Sequence, residues 1–114
     1  MKDYTNRLIS DYGFTEYEAA LTNTDLNNMD TESLTALEKL FNGENIDDFS
    51  YRDISVGVLV EKYKLSIIAA ILSIDMLKKD YDGFIKILNS NKWYQKDHLR
   101  VVPFLWVLRN VATV

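Results

Sequence analysis

Three features of the amino-acid sequence predict an all-α fold. Apolar residues recur at helical spacing along most of the 114 residues, side chains that cap helices stand before most of these runs, and one proline and four glycines leave few breaks. The expected architecture is a compact single domain over 1–114, a bundle of five or six short helices with a central buried helix. A chain of this length closes one core over roughly two-thirds of its unfolded surface. The central helix is the uncharged stretch LSIIAAILSI, Leu65 to Ile74. On a helix, Ile67, Ile71 and Ile74 form one apolar stripe and Ile68, Leu72 and Met76 a second, so one neighbour cannot cover both.

The first helix is expected over 2–12, where Tyr4, Leu8 and Tyr12 recur every fourth residue with Ile9 beside them and Gly13 supplies a left-handed stop. Thr15 with Glu18 three residues on forms a capping box, which opens a second helix. Tyr17, Ala20, Leu21 and Thr24 share a face of it. Met29, Asp30 and Leu34 have the spacing of a hydrophobic staple around an N-cap aspartate, starting a third helix whose buried face is Leu34, Leu37, Leu40 and Phe41. Gly43 closes that helix.

The following segment, NGENIDDFS, is the one sizeable loop, and its Glu44, Asp47 and Asp48 raise the question of calcium. The segment lacks both the alternating oxygen ligands and the terminal glutamate of an EF-hand loop, so no metal site is expected. Ser50 and Asp53 resemble a capping box opening a helix through Tyr63, in which Gly57 costs about 1 kcal/mol relative to alanine.

Ser66 is placed to cap the central helix, which runs to Lys78 and Lys79 at the negative end of its dipole. Ser66, Ala69, Ala70 and Ser73 give it a small-residue face. Tyr81, Phe84, Ile85 and Leu88 predict one more short helix, capped by Asp80 or Asp82. NSNKWYQK reads as a loop, and Asp97 opens a last element over 99–114. Short apolar runs discriminate helix from strand poorly, so both remain open for that element. As a helix it is apolar on two faces, which suggests a homodimer through it.

The net charge of −4 conceals an asymmetry. Residues 1–57 carry 12 acidic and 4 basic side chains, a balance of −8, and residues 58–114 carry 5 and 9, a balance of +4. Such polarity serves either to dock the halves on each other or to steer a charged partner. Lysine outnumbers arginine nine to four, with isoleucine and asparagine each used nine times, a bias expected of an AT-rich bacterial or phage genome. The absence of cysteine excludes disulfides and thiolate metal sites. With no leader-like apolar run near the start and no stretch of roughly 20 apolar residues, a cytoplasmic protein that does not span a membrane is expected.

Catalysis has little to work with. His98 is the lone imidazole, there is no cysteine or glycine-rich phosphate loop, and no serine is framed as a nucleophile. Asp75, inside an apolar helix, is expected in an ion pair with Lys78, Lys79, Arg100 or Arg109. No cofactor is implied. Residues 55–79 have the outline of a DNA-binding helix-turn-helix, with Lys62, Lys64, Lys78 and Lys79 as its cations. Lys64, however, holds the turn position that favours glycine, and the second helix offers Ile67, Ile68, Ala69 and Ala70 where base-reading side chains belong. The acidic balance also opposes nucleic acid. By elimination the sequence reads as a non-enzymatic protein-interaction module, an accessory protein acting as regulator, inhibitor or immunity factor. Trp93 and Tyr94, aromatics in a polar loop, and the acidic Glu44, Asp47 and Asp48 are its candidate partner-binding residues.

Overall fold

In the computed structural model, which describes residues 2–90, the predicted helical bundle forms around α5, Ile67–Lys79. Ser66 caps α5 by accepting the Ala69 N–H at 3.2 Å. Nine of its thirteen residues are buried, including both apolar stripes apart from the half-buried Ile67 and Met76. Two stripes demand neighbours on several sides, and α5 indeed meets α3 (Thr31–Phe41), α4 (Val56–Lys62), α6 (Tyr81–Ser90) and the strand β1 (Ser50–Tyr51). The Ser73 hydroxyl, buried with them, is satisfied by donating to the Ala69 carbonyl at 2.7 Å.

Two further helices complete the described fold, α1 (Thr5–Tyr12) and α2 (Glu16–Asn27), packed on each other. Gly13 ends α1 at φ 71, and its N–H, with that of Phe14, turns back to the Leu8 carbonyl. The capping box of Thr15 and Glu18 forms in both directions. The buried side of α2, however, is not the face of Tyr17, Ala20, Leu21 and Thr24 that its apolar spacing suggests. Ala19, Thr22 and Leu26 point inward, Leu21 is half-buried, and Tyr17 is 71% exposed. The cause is polar. Asn23 accepts the Tyr4 N–H at 2.8 Å, while Asn27 accepts the Lys2 N–H at 2.9 Å and donates to the Lys2 carbonyl at 2.7 Å, so two amides fix the rotation of α2 under the extended segment 2–4.

Asp30 caps α3 by accepting the Ser33 N–H at 2.8 Å. Its own N–H donates to the buried Asp75 carboxylate on α5 at 3.0 Å, tying the start of α3 to the core. On α3 the fully enclosed positions are Ser33, Ala36 and Leu37, with Leu34, Leu40 and Phe41 half-buried against the core. Gly43, at φ 84, and Glu44 donate their N–H groups to the Leu40 and Lys39 carbonyls, both at 3.0 Å, a Schellman closure.

Ser50 and Asp53 do not open a helix. Ser50–Tyr51 pairs antiparallel with β2, Ile54–Ser55, around a two-residue turn in which Arg52 takes φ 55, and Ser55 caps α4 instead, accepting the Val58 N–H at 3.1 Å. Tertiary contacts outweigh the local capping signal here. Arg52 lies over the Tyr51 and Tyr81 rings at 5.4 and 4.3 Å, and the Tyr81 hydroxyl donates to Asp53 at 3.2 Å. A β-carbon on Gly57 would stand in ordinary contact with Asp47 and Ser55. Asp80, the first of the two suggested caps, opens α6 through the Gly83 N–H at 3.1 Å, in space that a β-carbon on Gly83 would take. Among the described residues no helix is long and apolar enough to cross a membrane.

Candidate functional site

A cleft of about 460 Å³ lies between α3 and the loop over 42–49. Its helical wall is the outward row Thr31, Thr35 and Lys39, spaced by one turn, with Glu32 and Ala36 beside it. Its loop wall is Asn45, Ile46, Asp48 and Phe49. Burial of Ile46, 5% exposed, anchors this wall, and local hydrogen bonds shape it: Asn45 Oδ1 accepts the Asp47 N–H at 2.8 Å, and the Ile46 carbonyl accepts the Phe49 N–H at 3.0 Å. The Asp47 carbonyl in turn receives the Gly57 N–H at 3.2 Å, docking the loop on α4. With the backbone so occupied, Glu44, Asp47 and Asp48 are all exposed.

Charge is distributed unevenly around the cleft. Lys78, its ammonium 5.3 Å from the centre of the Phe49 ring, reaches Asp30 at 3.2 Å and Glu32 at 3.5 Å. Burial pushes the Asp30 carboxyl up, but hydrogen bonds from the Ser33 backbone and from Lys78 prevail and hold it below its ordinary value. Glu44, Asp47 and Asp48 make no ion pair among the described residues. The site therefore offers an apolar floor of Ala36, Ile46 and Phe49, hydroxyls from Thr31 and Thr35, an ammonium at Lys39, the Glu32 carboxylate already paired with Lys78, and at Asp48 a carboxylate with no ion pair among the described residues. Such a set suits reversible docking of a partner.

Across the Thr31 and Thr35 row lies a smaller hollow of about 290 Å³, bordered by Lys2, Tyr4, Asn27, Leu34 and Glu38. Here the charges are already matched within the fold. Lys2 Nζ stands 2.8 Å from Glu38 Oε1, which also accepts the Tyr4 hydroxyl at 3.1 Å. The Lys2 hydrogen bond, aided by Tyr4, holds the Glu38 carboxyl below its ordinary value against the opposing effect of burial.

Of the residues singled out from the sequence, the fold brings Glu44, Asp47 and Asp48 onto one loop, with Asp48 on the cleft itself. Trp93, Tyr94 and His98 lie outside the described residues, as do Arg100, Arg109 and the expected dimer helix. Asp75 pairs with Lys79, one of its four expected partners, at 2.9 Å. Of the four lysines of the helix-turn-helix outline, Lys78 and Lys79 are held in ion pairs, Lys62 lies over the Tyr63 ring at 5.3 Å, and Lys64 is exposed. Lys64 does adopt the left-handed turn, at φ 60, that the outline calls for. The helix that follows is buried on nearly every side.

Sequence reasoning missed Thr31, Thr35, Lys39 and Phe49. The row of Thr31, Thr35 and Lys39 at four-residue spacing, polar and opposite the apolar face of α3, is a readable signal of an outward stripe. Its pairing with a loop seven residues past Lys39's turn depends on Ile46 entering the core, which no local pattern announces. No protein-family model, curated protein or solved structure matches this chain.

Proposed function

We propose that this domain is a non-enzymatic protein-interaction module, an accessory protein of bacterial or phage type acting as regulator, inhibitor or immunity factor, and that it engages its partner through the cleft between α3 and the 42–49 loop. One observation carries the reading: Asp48, exposed and without an ion pair among the described residues, lines a cleft with an apolar floor, and Glu44 and Asp47, equally exposed and unpaired there, stand on the same loop. A carboxylate kept in water contributes little to folding, so its arrangement beside an apolar hollow is put to use in steering and orienting a cationic partner surface. The surplus of acidic over basic side chains in residues 1–57 supports the same direction of charge.

The test is capture from a host lysate by tagged parent protein and by a double variant, Asp47→Lys with Asp48→Lys, each with and without nuclease. A stoichiometric protein retained by the parent through nuclease treatment and lost by the variant, at unchanged thermal stability, is the expected outcome. Retention by both proteins moves the interface elsewhere. Nuclease-sensitive material that absorbs as nucleic acid would favour the helix-turn-helix reading of residues 55–79.

A further inference from the structure

Asn42 and Gly43 form the one Asn–Gly pair in the sequence, and they stand where α3 turns into the loop wall of the cleft. Asn42 is exposed. Gly43 sits at φ 84 with open space where a β-carbon would stand, and as a glycine it sets no side chain beside its own amide nitrogen to hinder the approach to the Asn42 side chain. Each of the other eight asparagines precedes a residue whose side chain hinders that approach. The pair is restrained by the last turn of α3, where the Asn42 N–H donates to the Glu38 and Lys39 carbonyls and Arg7 donates to the Phe41 carbonyl, and by the Schellman closure, in which the Gly43 N–H is held by the Leu40 carbonyl and the Glu44 N–H by the Lys39 carbonyl.

We propose that Asn42 is a site of spontaneous deamidation whose rate is set by opening of the α3 C-cap. The Gly43 nitrogen, giving up its proton to a base in solution, bonds to Asn42 Cγ, and the side-chain nitrogen leaves as ammonia with a proton taken up in exchange. Water then opens the resulting five-membered imide at one of its two carbonyls. One opening gives aspartate on the original chain path, and the other gives isoaspartate, with the chain rerouted through the former side chain. No oxidant or reductant is required. In the closed cap the proton stays on Gly43, shared with Leu40, and the peptide plane is fixed, so the reaction proceeds from the frayed helix end. Helix termini open at a small fraction of the free energy of global unfolding.

The position gives the change a consequence. Either product places a carboxylate at the negative end of the α3 dipole, beside Glu44, where it is unfavourable. Isoaspartate also lengthens the backbone within a turn whose two hydrogen bonds depend on its span. The loop wall of the cleft hangs from that turn, so deamidation loosens the wall and makes it more acidic. This holds whatever the cleft binds.

The experiment incubates the full chain at mildly alkaline pH, folded in buffer and unfolded in guanidinium chloride, followed by proteolysis and mass spectrometry of each asparagine. Chromatography separates the two acid products. Asn42 is expected to react first of the nine asparagines in both samples, mainly to isoaspartate, and about tenfold or more faster when unfolded. Asn42→Gln, which would need a six-membered ring and leaves Gly43 and its cap in place, is expected to silence the position while the melting curve stays near that of the parent. Another asparagine reacting first in the unfolded chain would overturn the site. Equal rates at Asn42 in the two samples would overturn the gating by the cap.

Discussion

Helices α2 and α5 are nearly equal in length, twelve and thirteen residues, yet they are held in place by opposite means. Nine residues of α5 are buried, almost all of them aliphatic, and its position follows from removing that surface from water. Only three residues of α2 are buried, one of them a threonine, and its rotation is fixed by Asn23 and Asn27 clasping the backbone of segment 2–4. One helix is secured by what it hides and the other by what it bonds. The first kind of fastening tolerates no unpaired charge at its centre. The second depends on a few named atoms.

The sharpest break is therefore expected in α5. Ile71 is fully enclosed, and Ile71→Asp places an unpartnered carboxyl among aliphatic side chains, at a cost of about 4 kcal/mol or more, comparable to the whole stability of many small domains. Loss of a cooperative transition in urea, followed by circular dichroism, is the expected result. A sharp transition near that of the parent would contradict the burial of this helix.

Asp75 is the charged exception among the buried residues of α5, and it divides hydrogen bonding from charge. Asp75→Ala leaves the Asp30 N–H without its acceptor at the start of α3, which costs about 2–3 kcal/mol. Asp75→Asn keeps an oxygen there and is expected to recover most of the loss, because Lys79, the ionic partner, is half exposed and the pair contributes little. Equal destabilisation by both variants in chemical denaturation would assign the role to the charge instead.

The same contrast explains what was legible in the sequence. Ile68, Ile71, Leu72 and Ile74 announce a buried helix by hydrophobicity alone, and the caps at Thr15, Asp30 and Ser66 lie where short-range spacing puts them. Failure came where distant groups override local ones. Tyr17 looked like a core residue of α2, but the orientation of that helix is set by asparagines bonding a segment some 20 residues away, on the scale of the separations of 19 and 25 between the bonded pairs. Ser50 and Asp53 matched a capping pattern, yet Tyr81 and Arg52 close a hairpin over them. For the cleft, the acidic loop was visible as Glu44, Asp47 and Asp48, whereas its facing wall of Thr31, Thr35 and Lys39 is brought there by tertiary packing.

On α2 the polar clasp predicts a moderate effect confined to one end. Asn27→Ala removes both bonds to Lys2 and is expected to cost about 1–2 kcal/mol, with faster hydrogen exchange at the segment 2–4 amides before any change elsewhere. Tyr17→Ser, on the same helix but 71% exposed, is expected to stay within about 0.5 kcal/mol of the parent. If the tyrosine variant proved the more damaging in thermal melts, the apolar reading of α2 would have to be restored.

The smallest expected effect has the opposite sign. Thr22 lies fully buried on the inner side of α2, and its Oγ1 has no hydrogen-bond partner, so folding strips a hydroxyl of water without compensation. Thr22→Val keeps the β-branched shape and removes the hydroxyl, which is expected to raise stability by about 1 kcal/mol, visible as an upward shift of the urea midpoint with an unchanged slope. In α5 the corresponding exchange, Ser73→Ala, is expected to gain nothing, because that hydroxyl is already satisfied by the Ala69 carbonyl. The two midpoints together separate a helix that fully satisfies its buried polar group from one that leaves it unmet. A loss on Thr22→Val would mean that α2, like α5, satisfies every group it hides, and the contrast between the two helices would then rest on the asparagine clasp alone.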